Sequence, residues 1–334
     1  MIVSAADVQL TGVAALHRAG VPLENAKLQV DLLLEAELRG RASHGLLRLP
    51  RLVRRIGNGV ADPVTSGTQQ WVREAFLEVD GMMGLGPVVG CAALEAAIER
   101  ARVTGVCVAA VRNNNHLGMI GWYAERVARR GLTAIILSTS EALVHPWGGR
   151  RAALGTNPIA IGVPADPEPF VVDLATSKVS MGQIHDHANR GEPLPEGWAL
   201  DGDGNPTTDA AAARQGAIAP FGEAKGYALG LAFEVLVTCL TGAAIGNQVA
   251  GTLDSTQVCN KGDLFIIMDS HRATSAAGMI GAYLDEIRND AAASGFDRVA
   301  IPGDRSAEMR ATRLLEGVPV ADDVWREIMA LSRA

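Results

Sequence analysis

The stretch Phe76–Ala101 reads FLEVDGMMGLGPVVGCAALEAAIERA. A short apolar run, Phe76–Val79, leads into a glycine cluster, and a helical pattern follows from Val88 to Ala101. Strand, glycine turn and helix in that order are what a Rossmann dinucleotide-binding unit would present. Here Gly84, Gly86 and Gly90 are spaced GxGxxxG, one residue longer than the phosphate-binding pattern, and no acidic residue closes a second strand downstream. The stretch therefore reads as a structural turn rather than a pyrophosphate cradle.

Working outward, strand-like runs recur at Val106–Val111, Thr133–Leu137, Ile159–Val163, Phe170–Leu174, Leu264–Met268 and Val299–Ile301. Helical patterns lie between several of them, at Gly118–Arg129, Lys225–Thr241 and Ala276–Ala293. Strands alternating with helices predict an α/β sheet covered on both faces. Upstream the pattern is helical. Ser4 with Asp7 resembles a capping box, Gly20 and Pro22 end a first helix, a second runs Glu24–Leu38, and a third runs Leu46–Ile56. The tail Ser306–Leu331 is helical again, and the polar, Gly- and Pro-bearing segment Asn189–Asp209 reads as a long surface loop.

The chain has 334 residues, 48% hydrophobic and 20% charged, a globular composition with ample core. A net charge of -7 argues against nucleic acid as a partner. The one basic cluster, Arg48, Arg51, Arg54 and Arg55, falls on a helical stripe, either a solvated face or an anion clamp at one of its members. Tyr227–Ile245 is the longest apolar segment, but Glu234 and its glycines make it a buried core helix rather than a membrane span. Cys91, Cys107, Cys239 and Cys259 are scattered without CxxC pairing and sit in apolar contexts, as in a reducing compartment. No secretory signal is visible in MIVSAADVQL, so the expectation is a cytoplasmic protein.

Several short motifs carry possible chemistry. Ser43-His44-Gly45 with Arg48 is either a helix start or a proton relay beside a bidentate carboxylate clamp. Asn113-Asn114-Asn115-His116-Leu117-Gly118 follows a strand end and opens a helix, where open α/β sheets place ligands, and the asparagines could orient the imidazole. Gly155-Thr156-Asn157-Pro158 and Asp173-Leu174-Ala175-Thr176-Ser177 touch strand ends, where small residues admit a cofactor or make an ordinary turn. His185 and His187 form an HxH pair with no third ligand at suitable spacing, so no metal site is expected.

As an ordered set these pieces resemble the type-2 malate/L-lactate dehydrogenase family. The matching stretches are Ser43-His44-Gly45 with Arg48, Asn115 to Gly118, Gly155 to Pro158, Asp173 to Ser177, Pro195 to Trp198, Asp201 to Asp209, Lys225-Gly226-Tyr227 and Pro302-Gly303-Asp304, spanning nearly the whole chain. The resemblance implies a non-Rossmann mixed sheet flanked by helices, with a helical lobe built from residues 1–70 and 305–334 beside an α/β region of 71–304. It implies a homodimer with active sites near the subunit interface, and NAD or NADP as cofactor. It places cofactor contacts at Ser140, Asp173, Leu174, Ala175, Thr176, Ala224, Lys225, Pro302, Gly303, Asp304 and Arg305. It places proton transfer on His116, His44 and Ser43, and substrate contacts on Arg48, Thr156 and Asn157. Position 304 is Asp where the family carries Glu, and position 183 is Gln where the imine-reducing branch carries an acidic residue. Arg305 would suit a 2′-phosphate.

The reading that follows is reversible oxidation of a small 2-hydroxy acid, with Arg48 on the carboxylate and His116 as base. His44 is its rival for that role. Reduction of a cyclic imino acid on the same scaffold is the alternative within enzymes, and a non-catalytic nucleotide-binding regulator is the alternative outside them.

Overall fold

The computed structural model describes residues 1–270 and 272–333. In chain order the elements are β1 (Ile2–Val3), α1 (Ala5–Arg18), α2 (Leu23–Leu38), α3 (Arg48–Gly57), β2 (Thr68–Arg73), β3 (Phe76–Asp80), α4 (Gly86–Thr104) and β4 (Val106–Arg112). Then come α5 (Gly121–Ala128), β5 (Thr133–Ser138), β6 (Ile159–Val163), β7 (Phe170–Leu174), α6 (Met181–Arg190), β8 (Ala199–Leu200), β9 (Pro206–Thr207), α7 (Ala210–Ala213) and β10 (Ala217–Ile218). The chain closes with α8 (Ala224–Thr241), β11 (Gly262–Met268), α9 (Ala273–Arg288), α10 (Asp304–Glu316), β12 (Val318–Pro319) and α11 (Asp322–Arg333).

The main sheet has seven strands in the order β2-β3-β4-β11-β5-β6-β7. Only β3 and β4 run parallel, joined by the crossover helix α4; the other pairs are antiparallel. The sheet is thus mixed, and β11 is inserted between β4 and β5 although it follows them by more than a hundred residues. Period-two alternation decides which side each residue serves. Along β4, Cys107, Ala109 and Val111 join Val89, Leu94, Ile98 and Tyr123 of α4 and α5 in one core. Ala110, with Leu137 and Leu264, faces Val237 of α8 on the other side. Both faces are covered.

The glycines of the opening stretch serve packing. A Cβ at Gly86 would collide with the carbonyl oxygen of His116, and one at Gly81 with Asn114. Glycine lets the start of α4 and the β3–α4 turn lie directly on the segment that follows β4.

A second core joins α1, α2, α3 and α11, with Leu16, Val30, Leu33, Leu49, Trp325 and Ile328 buried together. The antiparallel pair β1–β12 ties the two ends of the chain into this helical lobe. Ser4 caps α1 by accepting the Asp7 N–H at 3.0 Å.

Three expectations are corrected. Val299–Ile301 is not a strand; it leads into the turn before α10. The loop Asn189–Asp209 is shorter than expected, because α6 reaches Arg190 and β8, β9 and β10 form a small three-stranded sheet. The apolar segment from Tyr227 is not a fully buried helix: α8 seats one face on the sheet, while Leu229, Leu231, Val235 and Leu236 are exposed. By length and composition α8 could cross a membrane, but its buried Glu234 accepts from Asn157 and from the backbone of Gly155 and Gly246, which moors it to the sheet.

Trp325 fills the lobe core from the last helix, and removing a buried indole costs about 3–5 kcal/mol. Trp325→Ala should therefore lower the unfolding free energy by that amount in a urea titration, with a matching fall in the midpoint; an unchanged midpoint would show that α11 is not part of the folded lobe.

Candidate active site

The segment between α2 and α3 is shaped by Glu37. Its carboxylate, buried at the end of α2, accepts the Leu46 N–H at 2.8 Å. That bond closes a tight 3₁₀ turn, Ala42–His44, in front of α3. A Cβ at Gly45 would strike the Glu37 carboxylate, which explains the glycine after His44. The turn sets Ser43 Oγ 2.9 Å from His44 Nδ1, and Arg48, the first residue of α3, donates its Nε to the Ser43 carbonyl at 2.7 Å.

The His116 segment is fixed from the other side. Asn113 donates to Asp80, Asn114 to the buried Asp263, and Asn115 Nδ2 to the carbonyls of Met83 and Gly84. Asn115 Oδ1 accepts from Arg55 Nε at 3.0 Å. None of the three asparagines bonds the imidazole; each staples the loop to a different neighbour. His116 Nδ1 instead accepts the N–H of Gly118 at 2.8 Å, which the left-handed backbone at Gly118 makes possible. Asp173, at the end of β7, accepts the Gly121 N–H at 2.8 Å and so fixes where α5 begins.

These two segments meet. The His44 and His116 rings lie 5.4 Å apart, centroid to centroid, tilted by 44°. Together with Gln29, Arg48, Arg51, Arg55, Asn115, Gly251 and Thr252, His116 lines a cleft between α2, α3 and the start of α4. The arginine stripe is thus no solvated face at Arg48, Arg51 and Arg55, while Arg54 points outward to Glu327.

The cleft is short of negative charge. Burial holds His44 down to about 3, helped by the nearby Arg48 and Arg41. Burial, then Arg48, His44, Lys261 and Arg51, pull His116 well below the ordinary imidazole range. Burial and the neighbouring Arg51 lower Arg48 to about 10. The buried carboxylate of Asp263 is taken by the ammonium of Lys261 and by Ser138 Oγ. Glu141 caps the N–H groups of Thr252 and Leu253, and Asp254 caps those of Thr256 and Gln257. The imidazoles are therefore both neutral in the free site.

A second set of candidate residues gathers elsewhere, at the ends of β5, β6 and β7. Ser140 Oγ accepts the Thr156 N–H at 3.1 Å, and Thr176 donates its N–H to the Thr156 carbonyl at 2.8 Å. Asn157 is fully buried, with its amide on Glu234 and the Gly230 carbonyl. Ala224 and Lys225 open α8 beside this cluster, since Phe221 donates to the Thr176 carbonyl. The N-terminus of α8 has no side-chain cap, and Gly222 and Glu223 before it both adopt positive φ. Gly303 stands near the Val171 carbonyl of β7; Pro302 and Arg305 are exposed, while Asp304 is held by Arg288 and by the Ile301 N–H. Leu174 is exposed and Ala175 half-buried beside it. The two sets touch through α6, where Gly182 packs against Ser43.

Ser43, His44, Arg48 and His116 converge; Thr156 and Asn157 do not reach them and belong to the second cluster. Among the HxH pair, His187 packs edge-on against Trp198 and bonds the Pro193 carbonyl. Sequence reasoning passed over Glu37, Gln29, Thr252, Lys261 and Asp263. Only the lone Glu234 in an apolar helix offered a signal of a buried polar joint.

Comparison with known proteins places this arrangement. The family profile described as malate/L-lactate dehydrogenase matches residues 3–329. The chain is 39% identical to an L-sulfolactate dehydrogenase of Methanocaldococcus jannaschii over 292 residues, 86% of this chain and 84% of that one. It is 40% identical over 252 residues, 75% of each chain, to a (2R)-3-sulfolactate dehydrogenase (NADP(+)) of Chromohalobacter salexigens. Among solved structures, a dehydrogenase from Sinorhizobium meliloti superposes with a TM-score of 0.95 at 49% identity, covering 99% of this chain and 98% of that one.

Burial also pushes the Glu37 carboxyl up to about 7, partly offset by the Leu46 bond and by Arg313. A carboxyl raised in the folded state lends stability below its unfolded value near 4.5 and loses it as pH climbs through 7. Glu37→Gln keeps an acceptor for Leu46 and cannot ionise. Relative to wild type it should gain about 2 kcal/mol between pH 5 and pH 8 in urea titrations; a constant difference across that range would mean Glu37 is ionised throughout.

Proposed function

The chain belongs to the malate/L-lactate dehydrogenase family, and on that premise we propose that it is a nicotinamide-dependent oxidoreductase interconverting a small 2-hydroxy acid and its 2-oxo acid. One observation carries the reading: two neutral imidazoles and the Arg48 guanidinium stand together and, among the described residues, no carboxylate is in bonding reach of Arg48. A substrate carboxylate supplies what Arg48 lacks, through a two-point fork.

The cofactor groups fit a phosphate-bearing dinucleotide. The uncapped start of α8, with Lys225 exposed in its first turn, offers N–H groups and positive potential to a pyrophosphate. Ser140, Thr176, the Asp173–Ala175 strand end and the Pro302–Arg305 turn would complete the binding surface, Arg305 facing a 2′-phosphate if the cofactor is NADP. When bound, the nicotinamide supplies the hydride acceptor or donor. In this reading the lobe of residues 1–70 and 305–334 brings the substrate groups, and residues 71–304 bring the cofactor groups.

The proton is the protein's own task. His116 accepts at Nδ1 from Gly118, so the neutral ring carries its hydrogen on Nε2 and has no lone pair there. It suits a donor that polarises the substrate C2 oxygen, in place of the base expected from sequence. His44 is free to take either tautomer, because the Ser43 hydroxyl can donate to or accept from its Nδ1. With Nδ1–H donating to Ser43, His44 Nε2 takes the hydroxyl proton during oxidation and returns it during reduction. Gln183, at the start of α6, is tied up in capping that helix with Ser180, which does not favour an imine proton donor there.

The apolar stripe Leu229, Leu231, Val235 and Leu236 on the outer face of α8 supports a homodimer, which would set the α8 N-terminus close to the interface. Four free cysteines support a reducing, cytoplasmic setting. Val235→Asp should halve the mass seen by sedimentation; an unaltered mass would place the interface elsewhere.

Two kinetic results test the roles. Since His44 is neutral in the free enzyme, kcat/KM for 2-oxo acid reduction should fall tenfold per pH unit from pH 5 to 8. His44→Ala should cost roughly a hundred- to ten-thousand-fold and flatten that slope, whereas His116→Ala should lose rate and keep it. The reverse pattern would return the base to His116, and saturable NADH or NADPH binding must survive in both variants.

A further inference from the structure

Resting on the dehydrogenase reading, we infer that the substrate carries a hydroxyl on C3, the carbon beyond the reacting one, and that the side-chain amide of Gln29 is the group that recognises it. Gln29 lies in the middle of α2 with only 4% of its surface exposed, between the apolar residues by which that helix packs. Buried polar side chains normally find partners within the protein. Among the described residues the Gln29 amide has none, yet neither Oε1 nor Nε2 is sealed in the core, and the residue lines the cleft of His116 and Arg48. What exposure it has is exposure to the site. Asn115, the other buried amide of the cleft, spends both its ends on Arg55 and on the carbonyls of Met83 and Gly84.

The surroundings say what kind of group the amide answers. A carboxamide presents an acceptor oxygen and two donor hydrogens, which suits a neutral group that both gives and takes a hydrogen bond; a hydroxyl does both. Leu33, one turn along α2, and Leu52, one turn along α3 from Arg48, line the same cleft and give the amide no other partner. An apolar substituent seated there would strip water from Gln29 and leave both its ends unanswered. A site built in this way rejects the analogue that lacks the hydroxyl, because the loss falls on a desolvated polar group of the protein. The position on the substrate follows from the roles already assigned. Arg48 takes the C1 carboxylate and the imidazoles take the C2 oxygen, so a further group in that cleft meets the remaining substituent of C2, which begins at C3. The other group that Gln29 could answer is the substrate carboxylate itself, beside Arg48, and the experiment separates the two.

The experiment compares hydroxypyruvate with 2-oxobutyrate in wild type and in Gln29→Met, which keeps the length of the side chain and removes its hydrogen bonds. The two acids are monoanions of the same length and differ in a hydroxyl against a methyl, so the arginines of the cleft meet equal charge in both. The wild type should prefer hydroxypyruvate, and Gln29→Met should cut the ratio of the two kcat/KM values on the order of ten- to a hundredfold. A general loosening of the helical lobe would slow both acids and leave the ratio where it was. An unmoved ratio in Gln29→Met overturns the proposal, and an equal loss on both acids would assign the amide to the carboxylate they share. A wild-type ratio near one overturns it as well, whether or not the variant folds. If neither acid is turned over, the dehydrogenase reading has failed and a binding arm still decides. Calorimetric titration of glycerate and 2-hydroxybutyrate into the protein, with and without NADH, needs no turnover. A preference for glycerate that Gln29→Met abolishes upholds the hydroxyl site; equal affinities in wild type remove it.

Discussion

Arg55 is the joint on which the site hangs. Its side chain is 5% exposed and, among the described residues, bonds to no carboxylate; it keeps its charge by donating to four oxygens, with Asp254 and Glu141 near enough to act on it through space. Those oxygens belong to three different pieces of the chain: the end of the helical lobe at Val60, the 254–257 turn, and Asn115 next to His116. Burying a guanidinium is expensive unless every N–H finds an acceptor. The cost is offset only when all three pieces are in place together. Asn115 carries the constraint further, because its amide grips Met83 and Gly84 and so pins the glycine turn that Gly86 presses onto His116. The helical lobe, the β3–α4 turn and the histidine loop therefore assemble as one unit or not at all.

The same choice explains the electrostatics. Had Arg55 been paired with a carboxylate, the cleft would have carried one positive charge less. Because it is satisfied by dipoles, its charge remains, and Arg48, Arg51 and Lys261 add to it. The buried acid Asp263 offsets Lys261, with which it is paired. The result is a pocket in which burial, helped by these charges, keeps both imidazoles neutral, and whose field favours an anion near them. A substrate carboxylate landing on Arg48 removes the main repulsion felt by His44, so binding itself raises the affinity of that ring for a proton. In the proposed mechanism substrate capture and proton handling are coupled through Arg48.

Much of this was legible in the sequence, and the reason for what was not is physical. Strands such as Val106–Val111 and Leu264–Met268 announce themselves because they are buried on both faces and read as unbroken apolar runs. The strand Thr68–Arg73 was missed because it is an edge strand, largely exposed, with no alternation to detect. Val299–Ile301 misled in the opposite sense: three apolar residues suffice for a strand pattern, but here no partner strand lies beside them. Local patterning placed His116 at a strand end and Arg48 on a stripe, and the ordered motifs drew Ser43 and His44 into the same site. It could not tell Arg55 from Arg54, since a stripe does not say which neighbour finds acceptors a hundred or two hundred residues away. Nor could it fix the tautomer of His116, which depends on one backbone N–H made available by the left-handed turn at Gly118.

In the proposed mechanism that tautomer gives the two histidines different tasks. A ring locked by a backbone donor is a dependable hydrogen-bond donor on its far side, but it cannot exchange a proton without breaking the lock. A ring beside a hydroxyl can do so freely, because the serine simply turns. The rings stand 5.4 Å apart, and in the proposed mechanism the tasks are separate: one imidazole holds the oxygen in position and the other carries the proton. The rigid half is built into the sheet, through Gly118 and the start of α5, and the exchangeable half sits on the turn that Glu37 closes at the edge of the helical lobe. In the proposed mechanism the division between helical lobe and sheet is thus the same division that separates positioning from proton transfer.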